Sequence, residues 1–156
     1  MVAGSLHIPS PLGIPMHLFI IPLVAILLGP LSGATVAVLV LIVQAFLLGM
    51  GGITALGANA LTLGLPVTLA TYYSYKLLLD IDFRLSVFSA TFIGAIMVTV
   101  TQSVILLIAG VWTLEVILAT LVPFYLFIGV IEGVANVAVL SFLARVQPEF
   151  LSIEKV

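Results

Sequence analysis

Apolar residues run along this chain in long blocks, separated by short clusters of glycine, proline or charge. The blocks predict helices over 15–28, 31–49, 60–78, 85–110 and 116–145. Uncharged runs of about 20 residues are what a hydrocarbon core about 30 Å thick demands. The first block is short and carries Pro15 and Pro22. At about 1.5 Å per residue it covers only about 20 Å, so it must tilt, thin the bilayer around it or be partly re-entrant. Gly29-Pro30 ends it, and Gly49, Gly51 and Gly52 break the second block. Residues 51–59 read as a glycine-rich outer loop dipping back toward the membrane. A break is expected near Pro123 in the last block. Residues 1–14 form an irregular arm and 146–156 a polar tail. The pattern therefore predicts an all-α integral membrane protein of about five transmembrane helices. It is read as a single membrane domain over 1–156, without an internal repeat or linker.

Composition supports this reading. The 156 residues are 63% hydrophobic and 6% charged, and the mean hydropathy is +1.46. A soluble domain carries about 25% charged residues, so most side chains here must face lipid or each other. A net charge of −2 offers no electrostatic footprint for nucleic acid. The lack of cysteine excludes disulfides, thiolate metal sites and cysteine nucleophiles. The first residues lack a basic n-region, so insertion is expected to rely on the first hydrophobic span.

The few basic residues set an expected direction. Lys76 and Arg84 flank the turn after the third block, while Arg145 and Lys155 lie at the C-terminal end. With five spans these fall on one side, which the positive-inside rule makes cytoplasmic. The N-terminal arm and the 50–59 loop then face outside, and Trp112 reads as an interface anchor.

Polar residues within apolar blocks are the candidates for chemistry. His7 and His17 are the only histidines, at the entrance of the first span. They read either as interfacial polar groups or as imidazole ligands suited to cobalt, nickel or zinc. Glu132 falls near mid-membrane, where an acid costs about 2.5–3.5 kcal/mol. Asn136 lies one turn on, on the same helix face. Together they read either as a substrate path or coupling element, or as hydrogen-bonded glue between helices. Gln44, Gln102 and several threonines suit interhelical hydrogen bonds. Gln44, Met50, Thr54 and above all Asn59 are candidates for lining a substrate cavity. Small residues recur four apart at Gly29, Gly33 and Ala37, at Ser86, Ala90 and Gly94, and at Gly129 and Gly133. Such ridges allow close helix approach, within the bundle or against another membrane subunit. The sequence holds no GxxxxGK[ST] phosphate loop, HExxH motif or nucleophile elbow, so this chain is not expected to drive ATP hydrolysis alone.

Three strings together resemble one family. They are LLGPLSG at 27–33, QAFLLGMGGITALGAN at 44–59 and IEGVANVAVLSFLARVQPE at 131–149. In this order and spacing the chain resembles, over roughly 16–150, the CbiM/NikM family. These are substrate-binding membrane subunits of energy-coupling-factor transporters for cobalt and nickel. The resemblance implies a helical bundle that holds one Co²⁺ or Ni²⁺ near its outer face, as cargo rather than as a permanent cofactor. It implies a transmembrane coupling subunit, cytoplasmic ATPases and, as an option, a small additional membrane subunit as partners. It also implies the cell membrane of a prokaryote. In the family a Met-His arm and a histidine before the L-x-G-P span hold the metal. His17 matches that histidine by its spacing to Gly29-Pro30, and His7-Ile8-Pro9 resembles the family's His-Ile-Pro opening. The sequence departs from the pattern in beginning Met1-Val2, without the usual two preceding helices, and in carrying Met50 before the double glycine.

Three functions follow as expectations: a metal-capturing transporter subunit, a related subunit for another small solute, or a structural subunit without a substrate site of its own.

Overall fold

The computed structural model describes residues 7–8, 16–17, 20–47 and 56–147. Within them the protein is a helical bundle with one short extended pairing. His7–Ile8 (β1) and Met16–His17 (β2) form a two-residue antiparallel ladder. The helices are α1 Ile21–Leu28, α2 Pro30–Leu47, α3 Leu56–Leu63, α4 Leu65–Leu78, α5 Phe83–Ile108, α6 Leu114–Val116 and α7 Val122–Val146. A π-helical turn, Ile117–Leu121, joins the last two into one rod. Three helical segments are long and apolar enough to cross a membrane: Pro30–Leu47, Phe83–Ile108 and Leu114–Val146. This is an all-α integral membrane protein; among the described residues its helices run as five successive passes of the bundle, α1, α2, α3 with α4, α5, and α6 with α7, of which the second, fourth and fifth are long and apolar enough to cross a membrane.

The ends of these passes depart from the expected spans for local reasons. The 15–28 block is not one helix. Met16–His17 are extended, and helix begins at Ile21 with Pro22 in its first turn. Proline has no N–H to donate, so the first turn is the one place where a helix loses nothing by it. The α1–α2 link is the single residue Gly29, whose φ of 80° an L side chain would resist. Pro30 then opens α2, one residue earlier than the expected 31–49 span.

The glycine-rich 51–59 stretch is not all loop, because its last four residues, from Leu56, are helical. The third pass therefore starts earlier than position 60. It is interrupted at Gly64, which precedes Pro66 in the first turn of α4. Asp82 caps α5, its carboxylate accepting from the Leu85 N–H at 2.8 Å. The break expected near Pro123 takes the form of the π turn. There the Val122 N–H bonds to Ile117 O, so the rod continues with one surplus residue.

Helix α5 is the centre of the bundle, packed along α4 on one side and α7 on the other. Two apolar layers cross it. The first joins Leu63, Val67, Val98, Ile117, Leu121 and Tyr125, with Ile21 and Trp112 packed against it. The second joins Ile26, Tyr75, Val87, Ala90 and Leu140. Each layer draws on α4, α5 and α7, so the two lie at opposite ends of the same bundle.

The small-residue ridges are taken up inside the chain. A Cβ on Gly33 would lie 3.0 Å from Ala25 Cα, which brings α2 against α1. A Cβ on Gly129 would lie 2.9 Å from Ala95 Cβ, and one on Gly133 would meet the Phe88 ring at 2.7 Å, both joining α7 to α5. Ser86, Ala90 and Ala37 are likewise buried. Large side chains face outward instead, among them Leu39, Phe127, Val134 and Phe142.

The two α7 glycines differ in what would yield. Ala95 has no rotamer to change, whereas the half-buried Phe88 ring has room to swing. Gly129→Ala is therefore expected to cost about 1–3 kcal/mol, and Gly133→Ala less. Unfolding of the two variants in detergent micelles checks this order; equal losses would contradict it.

Candidate functional site

Two groups of polar residues stand out. The first is the histidine pair, where the ladder register makes His7 and His17 Cα partners, with Ile8 opposite Met16. Residues ten apart in sequence are thus brought together by backbone pairing. Ile20, three residues past His17, is the N-cap of α1.

The second group lies between the two apolar layers. Thr68 and Thr71 on α4, Thr91 on α5, and Glu132 and Asn136 on α7 are all buried. Most of the threonines in α5 satisfy themselves within their own helix. Thr91 Oγ1 donates to Val87 O at 2.8 Å, and Thr99 Oγ1 to Ala95 O at 2.8 Å. Such back-bonding lets a hydroxyl sit in an apolar bundle without an outside partner.

Two side-chain bonds tie α5 to α7. Asn136 Nδ2 donates to Thr91 Oγ1 at 3.1 Å, and Tyr125 Oη donates to Gln102 Oε1 at 2.6 Å. Glu132, 4% exposed, stands between these ties on the buried stripe of α7. It comes two turns after Tyr125 and one turn before Asn136.

The other candidate residues are placed elsewhere. Gln44 is buried and engaged on α2. Asn59 is half-buried on α3, a helix that packs on α2. Met50 and Thr54 lie outside the described residues. A groove of about 530 Å³ opens between α2 and the α3–α4 break, walled by Leu31, Ala34, Val38, Ala60, Gly64 and Pro66 among others. It is apolar, and Asn59 is not on its wall. Among the described residues no three His, Asp or Glu side chains converge as a metal cluster. Glu132 and Asn136 share a face, as their spacing implies. The structure adds Thr91 and Tyr125 as their companions on the buried α5–α7 face. For Tyr125 the available signal was its seven-residue spacing to Glu132.

Comparison with known proteins gives consistent matches. The family described as "Cobalt uptake substrate-specific transmembrane region" matches residues 1–150. A cobalt transport protein of Thermosipho melanesiensis is 32% identical over 151 residues, covering 92% of this chain and 64% of the relative. One of Acetoanaerobium sticklandii is 31% identical over 157 residues, covering 95% and 64%. A protein of Archaeoglobus fulgidus that carries the name of a fused nickel transport protein is 29% identical over 151 residues, covering 96% and 51%. The chain thus spans just under two thirds of the first two relatives and about half of the third.

The Asn136–Thr91 tie is separable from packing by a double-mutant cycle of Asn136→Leu and Thr91→Val. The expected coupling is about 0.6 kcal/mol and no more than about 1.7, as for interhelical bonds in other membrane proteins. Unfolding measurements on the four proteins check it, and zero coupling would mean that the bond contributes nothing.

Proposed function

Since this chain belongs to the CbiM family of cobalt uptake transmembrane regions, we propose that it captures Co²⁺ or Ni²⁺ for uptake across the membrane. The names of its relatives support both cargoes. His17 and His7 are the proposed ligands. The observation that carries this reading is their backbone register, which makes the chain's two histidines direct partners ahead of α1. Neutral imidazole is a borderline donor that suits both ions. Two imidazoles carried on paired backbone positions would supply part of a coordination set, which water or other donors complete. Gln44, Met50, Thr54 and Asn59 are the proposed polar wall around the captured ion.

In this reading the arm and the histidines face outward, and the C-terminal tail lies in the cytoplasm of a prokaryotic cell. A transmembrane coupling subunit and cytoplasmic ATPases supply the energy for release inward. Glu132 serves the coupling of capture to movement, through the α5–α7 seam that it shares with Tyr125 and Asn136.

Isothermal titration of the purified protein with Ni²⁺ and Co²⁺ tests the site. His17→Ala is expected to abolish binding, and unchanged affinity would remove His17 from the ligand set. A protonated imidazole has no lone pair to give, so affinity is present above the histidine pKa, about 6.5, and is lost as pH falls through it. Well below that value each histidine ligand costs roughly tenfold per pH unit.

Glu132→Gln separates the two roles open to the buried acid. With partner subunits in cells, uptake is expected to fall while metal affinity in the purified protein is retained. Full uptake would reduce Glu132 to a structural tie.

A further inference from the structure

The groove between α2 and the α3–α4 break is walled by leucines that stand open to their surroundings. Leu31, Leu39 and Leu61 are each more than half exposed. In a bilayer such a groove fills with acyl chain, with little gain over any other lipid-facing surface. A fixed headgroup is what holds one lipid in place. The residues beyond the groove's lower end, where Leu31 and Leu65 face each other, supply the means to fix one.

Helix α4 runs unbroken from Leu65 to Leu78. Leu65, Leu69, Tyr72 and Lys76 follow one another by four, three and four positions, so they form one stripe along it. Leu65 is on the groove wall, and the stripe therefore leads from the groove to Tyr72 and Lys76. A second observation places Tyr72 there independently. A Cβ on Gly29 would lie 4.0 Å from Tyr72 Cε2, and Gly29 comes two residues before Leu31 on the opposite wall.

Lys76 Nζ sits over the Tyr72 ring, 4.7 Å from its centroid. The ring face draws the ammonium toward the foot of the groove. An ammonium has three N–H donors with which to meet a phosphate. Tyr73, exposed beside it, packs edge-on against Tyr72 at 5.5 Å. Tyrosine and lysine together are residues of the headgroup level. Asp82 is engaged as the cap of α5, and Asp80 lies past the end of α4, further along the chain from the groove than Lys76.

The lengths agree as well. Lys76 and Leu65 are eleven residues of helix apart, about 16 Å. One leaflet is half of a hydrocarbon core about 30 Å thick, or about 15 Å. A lipid with its phosphate on Lys76 thus lays an acyl chain past Tyr72 and Leu69 and ends it in the groove.

We propose that this chain holds one phospholipid, its phosphate on Lys76 and an acyl chain in the groove between α2 and the α3–α4 break. The site uses neither histidine and stands apart from metal capture.

Native mass spectrometry of the full chain, delipidated in detergent and titrated with phosphatidylglycerol, tests this, with thermal unfolding of each variant alongside. One phosphatidylglycerol per chain is expected to survive removal of the detergent. Diacylglycerol with the same acyl chains lacks the phosphate and should not be retained. Lys76→Gln should weaken binding about fivefold. Arg145→Gln, exposed in the last turn of α7, should bind as the wild type does. Thr35 is exposed on the groove wall, and its hydroxyl donates to Leu31 O of its own helix. Thr35→Trp therefore fills the groove from outside the core and should abolish the adduct. Leu39→Trp tests the same wall if Thr35→Trp fails to fold.

The proposal is overturned if the wild type retains no phosphatidylglycerol, if diacylglycerol is retained equally, if Arg145→Gln loses as much as Lys76→Gln, or if a folded tryptophan variant keeps the lipid. It is also overturned if the wild type is a dimer that Thr35→Trp converts to a monomer, since a second copy would then cover the groove.

Discussion

Apolar side chains gain nothing by leaving lipid for one another, so helices in a bilayer hold together where their backbones come close. In this chain that constraint falls on α5. Gly94 opens one flank of it to α4 and α1, and Ala95 meets Gly129 on the flank toward α7. Side chains missing at these points are as consequential as those present. They allow the buried stripe of α7, from Tyr125 to Leu140, to lie against α5 without bulk between them. The outward faces carry leucine, valine and phenylalanine, whose transfer to a partner helix would bring little gain.

Close approach also explains how polar groups survive in the middle of the bundle. The Asn136–Thr91 and Tyr125–Gln102 bonds form only because the two backbones are near enough for short side chains to meet. Both lie between or beside the two apolar layers. Glu132 is enclosed in the same space. The acid, the amide and the phenol thus lie along one buried stripe of α7.

The three longest helical segments were legible from the lengths of the apolar blocks, because lipid thickness imposes such lengths. Their ends were less so. Hydropathy does not separate an extended apolar segment from a helical one, so Met16–His17 merged with α1; Pro22 was the mark of the true start. Glycine content suggested a loop up to Asn59, although Leu56–Leu63 is helical. Glu132 with Asn136 was visible as an i, i+4 pair. Thr91, the partner of Asn136, lies 45 positions away and the Tyr125–Gln102 tie spans 23, and pairing over such distances depends on how each helix is rotated about its own axis. Sequence spacing within one helix carries no information on that rotation. The His7–His17 register is of the same kind, being a property of the backbone pairing rather than of either residue.

The π turn at Ile117–Leu121 stores one surplus residue in an otherwise regular rod. Each residue of an α-helix advances the winding by about 100°. Residues before the turn, among them Glu115 and the connection that holds Trp112, are therefore out of phase with the stripe of α7 by about that angle. The orientation of the whole 109–113 connection is an angular offset written in chain length, not in side-chain identity. A single deletion inside the turn would rewind the rod to regular α-helix and rotate that connection around the helix axis, with every side chain from Pro123 onward left as it stands.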